Sequence, residues 1–401
     1  MGSGAGLIAS AMESFDVVIV GAGAAGLMCA MTAASRGRRV LLLEHNEQAG
    51  AKILISGGGR CNFTNLEIAP ERFLSANPHF CKSALSRYTQ HDFIALVERH
   101  RIRYYEKTLG QLFCDGSARE ILAMLLKECA AAGADLRTAH SVTEITRTDR
   151  FRIETNKGSF TAPALVIATG GLSIPKMGAS SFAYEIARRF DLKVIEPRPG
   201  LVPLKVTGET LELCRDLSGV SVDAIASCGR ESFRENILFT HRGLSGPAIL
   251  QISSYWREGE TLLLNLAPTL DIEAFLADRK RTRPKAELKT ILAEALPTRL
   301  AHALAGPASN DSIANVPDRE LLKLADRLKR WQLKPTGSEG WPKAEVTVCG
   351  IDTAALSSKT METRAVPGLF EIGEAVDVTG WLGGYNFQWA WSSGWCAGQA
   401  V

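Results

Sequence analysis

The feature that most constrains this chain is an apolar run that leads into three closely spaced glycines. Residues 16–20 read Asp-Val-Val-Ile-Val, and Gly21, Gly23 and Gly26 follow with the spacing G-x-G-x-x-G before an apolar helical pattern. In such a strand-to-helix turn, the first glycine permits the tight turn, the second leaves room for a pyrophosphate and the third brings the helix close to the strand. Free N–H groups and the positive end of the helix dipole favour phosphate at that point. The pattern predicts a dinucleotide site in an α/β fold.

A second apolar run supports the same prediction. Residues 39–43 are of strand character and end at Glu44, which stands where a dinucleotide-binding turn places an acid for the adenosine ribose. The alternative is a glycine-rich strand-to-helix turn that binds nothing. Strand, glycines, helix, second strand and acid all fall at the expected spacing, which favours the dinucleotide site.

Length and composition set wider limits on the protein. A chain of 401 residues has room for two or three domains, and 46% hydrophobic with 22% charged residues is ordinary for a globular protein. No apolar run approaches the roughly 18 residues of a membrane span, so no membrane partner is expected. The net charge of +3 does not indicate a nucleic-acid partner, and none is expected on this ground. The partner predicted instead is a small-molecule substrate.

Cysteine usage and the first residues indicate the compartment. Nine scattered cysteines without a C-x-x-C pair suit a reducing cytoplasm and predict neither a disulfide framework nor a metal site. Residues 1–13 carry no basic region of the kind that begins a signal peptide, and residues 1–11 are interpreted as a disordered leader. A cytoplasmic location is therefore predicted.

A second glycine-rich segment covers residues 51–65 and contains three successive glycines followed by Arg60, Cys61 and Asn62. Such glycines lose much backbone entropy on folding and usually mark the close approach of another group. Beside a dinucleotide fold, that group could be the far end of the cofactor, and Arg60 could meet a phosphate or a flavin oxygen. Cys61 is a candidate reactive thiol, and the alternative is a small core residue.

The middle of the chain changes texture twice. Residues 196–270 are short strand-like runs broken by glycine and proline, and they contain His241 in a polar loop, a candidate acid–base residue whose alternative role is structural. Residues 271–335 have amphipathic helical patterning, and the basic run 279–283 is interpreted as a solvated helix face. The alternative for that run is a contact with RNA or another acidic partner.

The last stretch is again rich in glycine. Gly373 precedes two acids, Glu374 and Asp377, either of which could bond ribityl hydroxyls of a flavin dinucleotide. A further helix is predicted to begin near Gly384, with its positive end aimed at negative charge on a ring oxygen.

These motifs together carry a family resemblance over residues 15–401. The chain resembles the two-dinucleotide-binding-domain, glutathione-reductase-like flavoproteins, and within them the HI0933-like or BaiN-like family, also called the aminoacetone-oxidase type. The segments that carry the resemblance are the residues 20–26, 56–65, 168–171, 239–247, 360–362 and 373–388.

The resemblance implies a fold and a cofactor. The fold is α/β, a Rossmann-like FAD-binding domain of the three-layer ββα type, with an inserted β-domain and an inserted helical domain. The implied FAD-binding domain covers residues 14–195 and 343–401, the β-domain 196–270 and about 336–342, and the helical domain 271–335. The implied cofactor is extended, non-covalently bound FAD, with NAD(P)H as a possible transient electron donor. By position, the residues implied to bind FAD are Gly21, Gly23, Ala24, Ala25, Gly26, Glu44, Arg60, Cys61, Asn62, Val142, Thr169, Gly170, Gly373, Glu374, Asp377, Gly384, Tyr385, Asn386 and Phe387.

The predicted function is that of an FAD-dependent oxidoreductase. Hydride would pass between a small organic substrate or NAD(P)H and the flavin, with His241 and Cys61 as the candidate catalytic residues. Two alternatives stay open at this point: a flavin-dependent RNA-modifying or RNA-binding protein, and a dehydrogenase that uses NAD alone. The sequence does not determine the substrate or the oligomeric state.

Overall fold

The structure, a computed structural model, describes residues 12–401, so the interpreted leader lies outside the described residues. The chain forms two compact units. The first runs to Arg198 and resumes as Val346–Val401, and the second is Pro199–Glu345.

Thirteen α-helices lie in the described residues. In chain order they are α1 Ala24–Ser35, α2 Ala51–Ile55, α3 Cys81–Arg87, α4 Gln90–Arg99, α5 Ala118–Ala132, α6 Phe182–Arg189, α7 Gly208–Asp216, α8 Pro247–Ser253, α9 Ile272–Thr282, α10 Leu288–Leu292, α11 Thr298–Ala305, α12 Asp318–Lys329 and α13 Tyr385–Ala400.

The same part of the chain contains 23 strands. They are β1 Glu13–Ser14, β2 Val17–Val20, β3 Val40–Leu43, β4 Asn62–Asn65, β5 Phe73–Leu74, β6 Tyr104–Glu106, β7 Gln111–Cys114, β8 Asp135–Arg137, β9 Val142–Arg147, β10 Phe151–Thr155, β11 Gly158–Ala162, β12 Ala164–Ile167, β13 Val194–Gly200, β14 Leu204–Lys205, β15 Ser221–Cys228, β16 Glu231–Thr240, β17 Gly243–Ser245, β18 Leu262–Asn265, β19 Trp331–Leu333, β20 Gly337–Ser338, β21 Val346–Ile351, β22 Leu369–Glu371 and β23 Thr379–Gly380.

The first unit is organised around a five-stranded parallel sheet with the order β22-β12-β2-β3-β8. Its central strands are short apolar runs in which every residue is buried, as expected for a parallel sheet covered on both faces. Helix α1 packs against α5 and α13, and β11 of the four-stranded sheet β1-β11-β10-β9 contacts β2. The predicted α/β fold with a Rossmann-like domain is confirmed.

Local signals explain where the helices around this sheet begin and end. Helix α5 begins with a capping box in which Ser117 and Glu120 satisfy each other's backbone N–H groups, and it ends at Gly133 in the left-handed conformation. Helix α4 begins with the same arrangement of Thr89 and Asp92. These short-range rules fix helix bounds independently of tertiary contacts.

Two smaller sheets lie near the last helix. Strands β4, β7 and β6 form an antiparallel sheet with β7 in the centre, and β5 pairs with β23. The latter pairing joins residues 73–74 to the segment that leads into α13. The start of α13 is therefore held by chain from the first third of the sequence.

The second unit contains an antiparallel sheet of seven strands with the order β19-β18-β15-β16-β17-β14-β20. Helix α8 packs on β15 and β16. Helices α9 to α12 lie between β18 and β19 in the chain, and these two strands pair. Within residues 12–401, no helix has both the length and the apolar character that crossing a bilayer requires.

Candidate functional site

The three glycines after β2 have different tasks in the structure. A Cβ on Gly26 would lie 1.9 Å from the carbonyl oxygen of Gly21, and Gly21 itself has a φ of +106° and lies against Ala168. A Cβ on Gly23 would meet no atom within 4 Å. Gly23 also precedes α1 without a side-chain cap, so the space above the helix N-terminus is free to receive a phosphate.

Glu44 follows β3 and is held by the backbone around it. Its two carboxylate oxygens accept hydrogen bonds from the N–H groups of Ala22 and Asn46, each at 2.9 Å. Burial raises the pKa of Glu44, but the hydrogen bonds from His45, Asn46 and Ala22 outweigh it and hold that pKa below its ordinary value. The carboxylate is therefore ionised and oriented, and its remaining lone pairs suit ribose hydroxyls.

Two further predicted residues lie at neighbouring points of this sheet edge. The N–H of His140 donates to the carbonyl of Glu44 at 2.9 Å, which places the start of β9, and with it Val142, beside the acid. Thr169 follows β12, and its hydroxyl is buried without a hydrogen-bond partner among the described residues. A buried polar atom without a partner is costly, so this hydroxyl suits a bound polar ligand.

Glu374 has more internal partners than the sequence suggested. Its carboxylate accepts from the ammonium of Lys52 at 2.8 Å, from the hydroxyl of Ser173 at 2.5 Å, and from the N–H and hydroxyl of Thr347 at 2.9 Å each. Burial raises its pKa, but Lys52 and these hydrogen bonds hold the pKa below its ordinary value. The side chain fixes Gly373 and its neighbours, while its capacity to bond a ribityl hydroxyl is largely used.

Sequence reasoning missed Lys52, Ser173 and Thr347 in this network. The only local signal was a lysine just after Gly50, which has a φ of +71° and precedes α2. The pairing of Lys52 with Glu374 spans 322 positions, so no short motif could reveal it.

Asp377 is also held by the protein. One of its carboxylate oxygens accepts from the N–H of Ala76 at 2.7 Å and from the hydroxyl of Ser75 at 3.4 Å. Burial raises the pKa of Asp377 above its ordinary value despite these bonds. Both hydrogen bonds therefore go to the same carboxylate oxygen.

The start of α13 brings together the last four predicted residues. Gly384 has a φ of +95° and precedes the helix without a side-chain cap. Asn386 bonds the backbone of Gly380 with both ends of its amide, each at 2.8 Å, and Tyr385 accepts from Arg72. Phe387 stacks on Trp391 at 5.5 Å. The side chains of Asn386, Tyr385 and Phe387 thus hold the turn in place.

The glycine-rich segment contains α2, then the turn Ser56–Gly59, in which Gly57 and Gly58 have positive φ, and then enters β4. Arg60 is exposed and donates to the hydroxyl of Tyr105 at 3.2 Å. Asn62, with its amide oriented to satisfy both ends, accepts from the N–H of Gly384 at 3.2 Å. The segment therefore lies beside the start of α13.

The two candidate catalytic residues differ in exposure. Cys61 is fully buried, and burial raises the pKa of its thiol to about 12, so the thiol stays protonated at neutral pH. His241 lies in the second unit, in the exposed turn between β16 and β17.

The residues of the first unit fit an extended dinucleotide. The free space at Gly23, the unpartnered hydroxyl of Thr169 and the ionised Glu44 all follow the carboxyl ends of β2, β12 and β3. In open α/β sheets, ligands bind outside these strand ends. Chain from the first and the last third of the sequence meets at the start of α13, where Thr64 of β4 lies against Gly384.

Comparisons with known proteins agree with this geometry. The family model described as the HI0933-like protein Rossmann domain matches residues 15–400. A protein of Escherichia coli (strain K12) named ribosomal RNA dihydrouridine synthase is 51% identical over 392 residues, which cover 97% of this chain and 98% of that protein. A protein of Clostridium scindens named 3-dehydro-bile acid delta(4,6)-reductase is 27% identical over 405 residues, with coverages of 96% and 98%.

A solved structure is similar in fold alone. The 3-ketosteroid-delta4-(5alpha)-dehydrogenase of Rhodococcus jostii RHA1 has a TM-score of 0.51 and 13% identity, and the alignment covers 98% of this chain and 97% of the other. The predicted family and the predicted class of flavoprotein oxidoreductase are confirmed, and FAD is the supported cofactor.

One expectation was wrong. The sequence did not lead us to expect a nucleic-acid partner, whereas the relative at 51% identity is named for a ribosomal RNA substrate. The physical reason is that a net charge of +3 averages over the whole chain. RNA binding depends on where cations and aromatic rings lie on the surface, and the net charge of the chain does not contain this information.

Proposed function

The chain belongs to the family of HI0933-like proteins with a Rossmann domain, and on this premise we propose that it is a flavin-dependent reductase of uracil in ribosomal RNA. The product would be dihydrouracil within the RNA chain. The observation that carries the proposal is 51% identity over 97% of this chain to a ribosomal RNA dihydrouridine synthase. The flavin-dependent alternative for RNA modification is thereby preferred to the small-molecule substrate and to a dehydrogenase that uses NAD alone.

The proposed reaction adds two hydrogens across the C5–C6 double bond of uracil. A hydride goes to C6, which is conjugated with the C4 carbonyl, and a proton goes to C5. NAD(P)H, proposed as the electron donor, is oxidised to NAD(P)⁺, so that electrons and atoms balance. When bound, FAD supplies the hydride-transfer chemistry between the two. A ribosomal substrate also agrees with the predicted cytoplasmic location.

The chain's own part is binding and orientation. The N–H groups at the start of α1 and the space at Gly23 would receive the pyrophosphate. Glu44 would accept from the adenosine ribose, and the Thr169 hydroxyl would gain the partner that the protein does not provide. The N-terminus of α13 would stabilise negative charge on the pyrimidine edge of the ring.

Of the two candidate catalytic residues, the proposal retains His241 and excludes Cys61. Cys61 receives no acid–base or nucleophilic role, since its thiol is buried and protonated. His241 stays a prediction as an acid–base residue. Replacing His241 by glutamine tests it: the rate of product formation should fall while the flavin content is unchanged.

A second candidate is the reduction of a small conjugated ketone. It is favoured by the relative named 3-dehydro-bile acid delta(4,6)-reductase, whose name describes carbon–carbon double bonds in a keto compound. Uracil contains the same element, a double bond conjugated with a carbonyl group. One flavin site could therefore serve either substrate class, and the surroundings of the site would select between them.

The test is a reaction of the FAD-loaded protein with in-vitro-transcribed ribosomal RNA, which contains no dihydrouridine, and NADPH or NADH under anaerobic conditions. Nucleoside mass spectrometry should detect dihydrouridine. A parallel reaction with a conjugated steroid ketone measures the second candidate. Dihydrouridine in the RNA alone supports the proposal, whereas turnover of the ketone alone would replace it with the second candidate.

A further inference from the structure

One face of the sheet β4-β7-β6 carries aromatic rings and cations. The register pairs Tyr105 with Phe113 and Phe113 with Asn62, so these three side chains lie in one row on the same face. The Tyr105 and Phe113 rings stack with centroids 6.0 Å apart. Phe63 and Tyr104 belong instead to the other face, where they contact each other and Phe63 meets Phe93. We call Arg60, Tyr105, Lys107 and Phe113 the Tyr105 face.

Within the described part of the chain, the cations of the Tyr105 face have no acid partner. The guanidinium of Arg60 lies 6.0 Å from the Tyr105 ring centroid, and the ammonium of Lys107 lies 5.4 Å from that of Phe113. Both side chains belong to exposed residues, and Tyr105 is half-buried. Among residues 12–401, no carboxylate lies within 4.0 Å of Arg60 or Lys107. Their positive charge is therefore available to an anionic partner.

The basic run of α9 differs in this respect. All four cations of residues 279–283 are paired within the second unit. The pairs are Arg279 with Asp278 and Glu294, Lys280 with Asp318, Arg281 with Asp278, and Arg283 with Glu294. The run for which an RNA contact was the alternative interpretation is thus largely neutralised, whereas the two cations of the Tyr105 face are not.

The Tyr105 face adjoins the turn predicted to receive the flavin ring. The amide of Asn65 donates to the carbonyl of Gly383 at 2.8 Å, and Thr64 lies against Gly384. Gln111, two residues before Phe113, lies against Gly383. Because β4 and β7 hold both the turn and the face, a polymer that places one base at the flavin would extend across this sheet.

We propose that the Tyr105 face binds the single-stranded RNA that flanks the target uridine. A neighbouring base stacks on the exposed part of Tyr105, and Arg60 and Lys107 neutralise the adjacent phosphates. Stacking on aromatic side chains together with free cations is the usual chemistry for single-stranded nucleic acid. The inference rests on the proposed function for its partner and deepens it by assigning the RNA-binding surface.

The test measures binding of a fluorescein-labelled single-stranded oligouridylate to the FAD-loaded full chain by anisotropy. Tyr105→Ala should weaken binding roughly ten-fold or more, because it removes the stacking surface. Tyr105→Phe keeps the ring and should bind within about three-fold of the wild type. Lys107→Ala should lower the slope of log affinity against log salt by about 0.7, the value for one phosphate on a single strand. Arg281→Ala, from the neutralised run, is the matched control and should change neither quantity.

Two readouts separate the surface from the proposed function. Flavin absorbance and the thermal midpoint verify that each variant is folded and loaded, and Lys107→Ala provides a second route should Tyr105→Ala disturb Phe113. Equal affinities and equal salt slopes for all variants would overturn the proposal that the Tyr105 face binds RNA, whether or not the protein forms dihydrouridine. Absence of dihydrouridine with the wild-type protein would overturn the proposed function, while the binding series would still decide on the surface.

Discussion

The starts of helices α1 and α13 look alike in sequence and differ in structure. Both helices follow a glycine and both lack a side-chain cap. At Gly23 an added Cβ would meet nothing within 4 Å, whereas at Gly384 it would lie 2.3 Å from the carbonyl oxygen of Thr64. The first glycine leaves space for a ligand, and the second is required by the packing of the chain itself.

The same contrast holds for polar side chains near the two helix starts. The hydroxyl of Thr169 is buried without a partner among the described residues, while Asn386 bonds Gly380 and Trp381. Thr169 lies against Gly21, in the turn before α1, so an unused hydroxyl near α1 contrasts with the bonded amide of Asn386 in α13. The start of α1 leaves space that agrees with the proposed phosphate site, whereas the start of α13 is filled by contacts within the chain. The following predictions test this distinction.

The largest effect is expected for Gly384→Ala. The substitution combines a φ of +95° with a clash against the Thr64 backbone, which cannot move without displacing β4. We expect a loss of about 3–5 kcal/mol in the free energy of unfolding, measured by urea denaturation of the FAD-free protein. Gly133→Ala is the control, because Gly133 has a φ of +84° but open space around it, and it should lose only about 1–2 kcal/mol. If both variants lost the same free energy of unfolding, the contact between residue 384 and the Thr64 backbone would not contribute to the loss.

Gly23→Ala should act on the cofactor instead. The φ of Gly23 is −82°, which alanine adopts freely, so the FAD-free variant should unfold at the same urea concentration as the wild type. Its affinity for FAD should fall on the order of 100-fold, because the Cβ would occupy the space proposed for the pyrophosphate. Titration of the FAD-free protein with FAD measures this. A variant that retained FAD would show that the cofactor does not approach α1.

Asn386→Ala should destabilise the protein by about 2–3 kcal/mol, because it removes three hydrogen bonds that hold the turn before α13. Its counterpart is Thr169→Val, which removes a hydroxyl without a protein partner and should leave the stability of the FAD-free protein unchanged or slightly higher. The valine variant should bind FAD about ten-fold more weakly. The contrast between the two helix starts fails if Thr169→Val destabilises the FAD-free protein as much as Asn386→Ala does.

The sequence predicted the fold class because the decisive signals are local. The turn around Gly21 and Gly26, and the strand that ends at Glu44, lie within 30 residues of one another and obey short-range rules. The Lys52–Glu374 pair, the use of Asn386 by its own turn and the pairing of the basic run in α9 depend on residues brought together by folding. The sequence therefore predicted which residues stand at the motif positions, but it did not predict which contacts their side chains make.

Glu371 also lacks a hydrogen-bond partner among the described residues. It tests whether a buried group without a partner always indicates a ligand site. It ends β22, is completely buried, and neither carboxylate oxygen has a partner among the described residues. Burial raises its pKa well above the ordinary 4.5. Above pH 4.5 the unfolded chain releases this proton and the folded chain keeps it, so the wild type should lose stability as the pH rises towards the folded-state pKa.

Glu371→Gln cannot ionise, so subtracting its stability curve from that of the wild type isolates this group. From pH 5 to pH 8 the wild type should become less stable relative to the variant, by at most about 1.4 kcal/mol per pH unit. Urea denaturation across that range measures the difference, and parallel curves would mean that Glu371 is ionised in the fold. Saturating FAD should leave the slope unchanged, because Glu371 is completely buried within the sheet. Thr169, in contrast, lies beyond the carboxyl end of β12, where the ligand is proposed to bind. If FAD removed the slope, the carboxyl group of Glu371 would also contact the ligand. Thr169 and Glu371 would then both belong to the cofactor site.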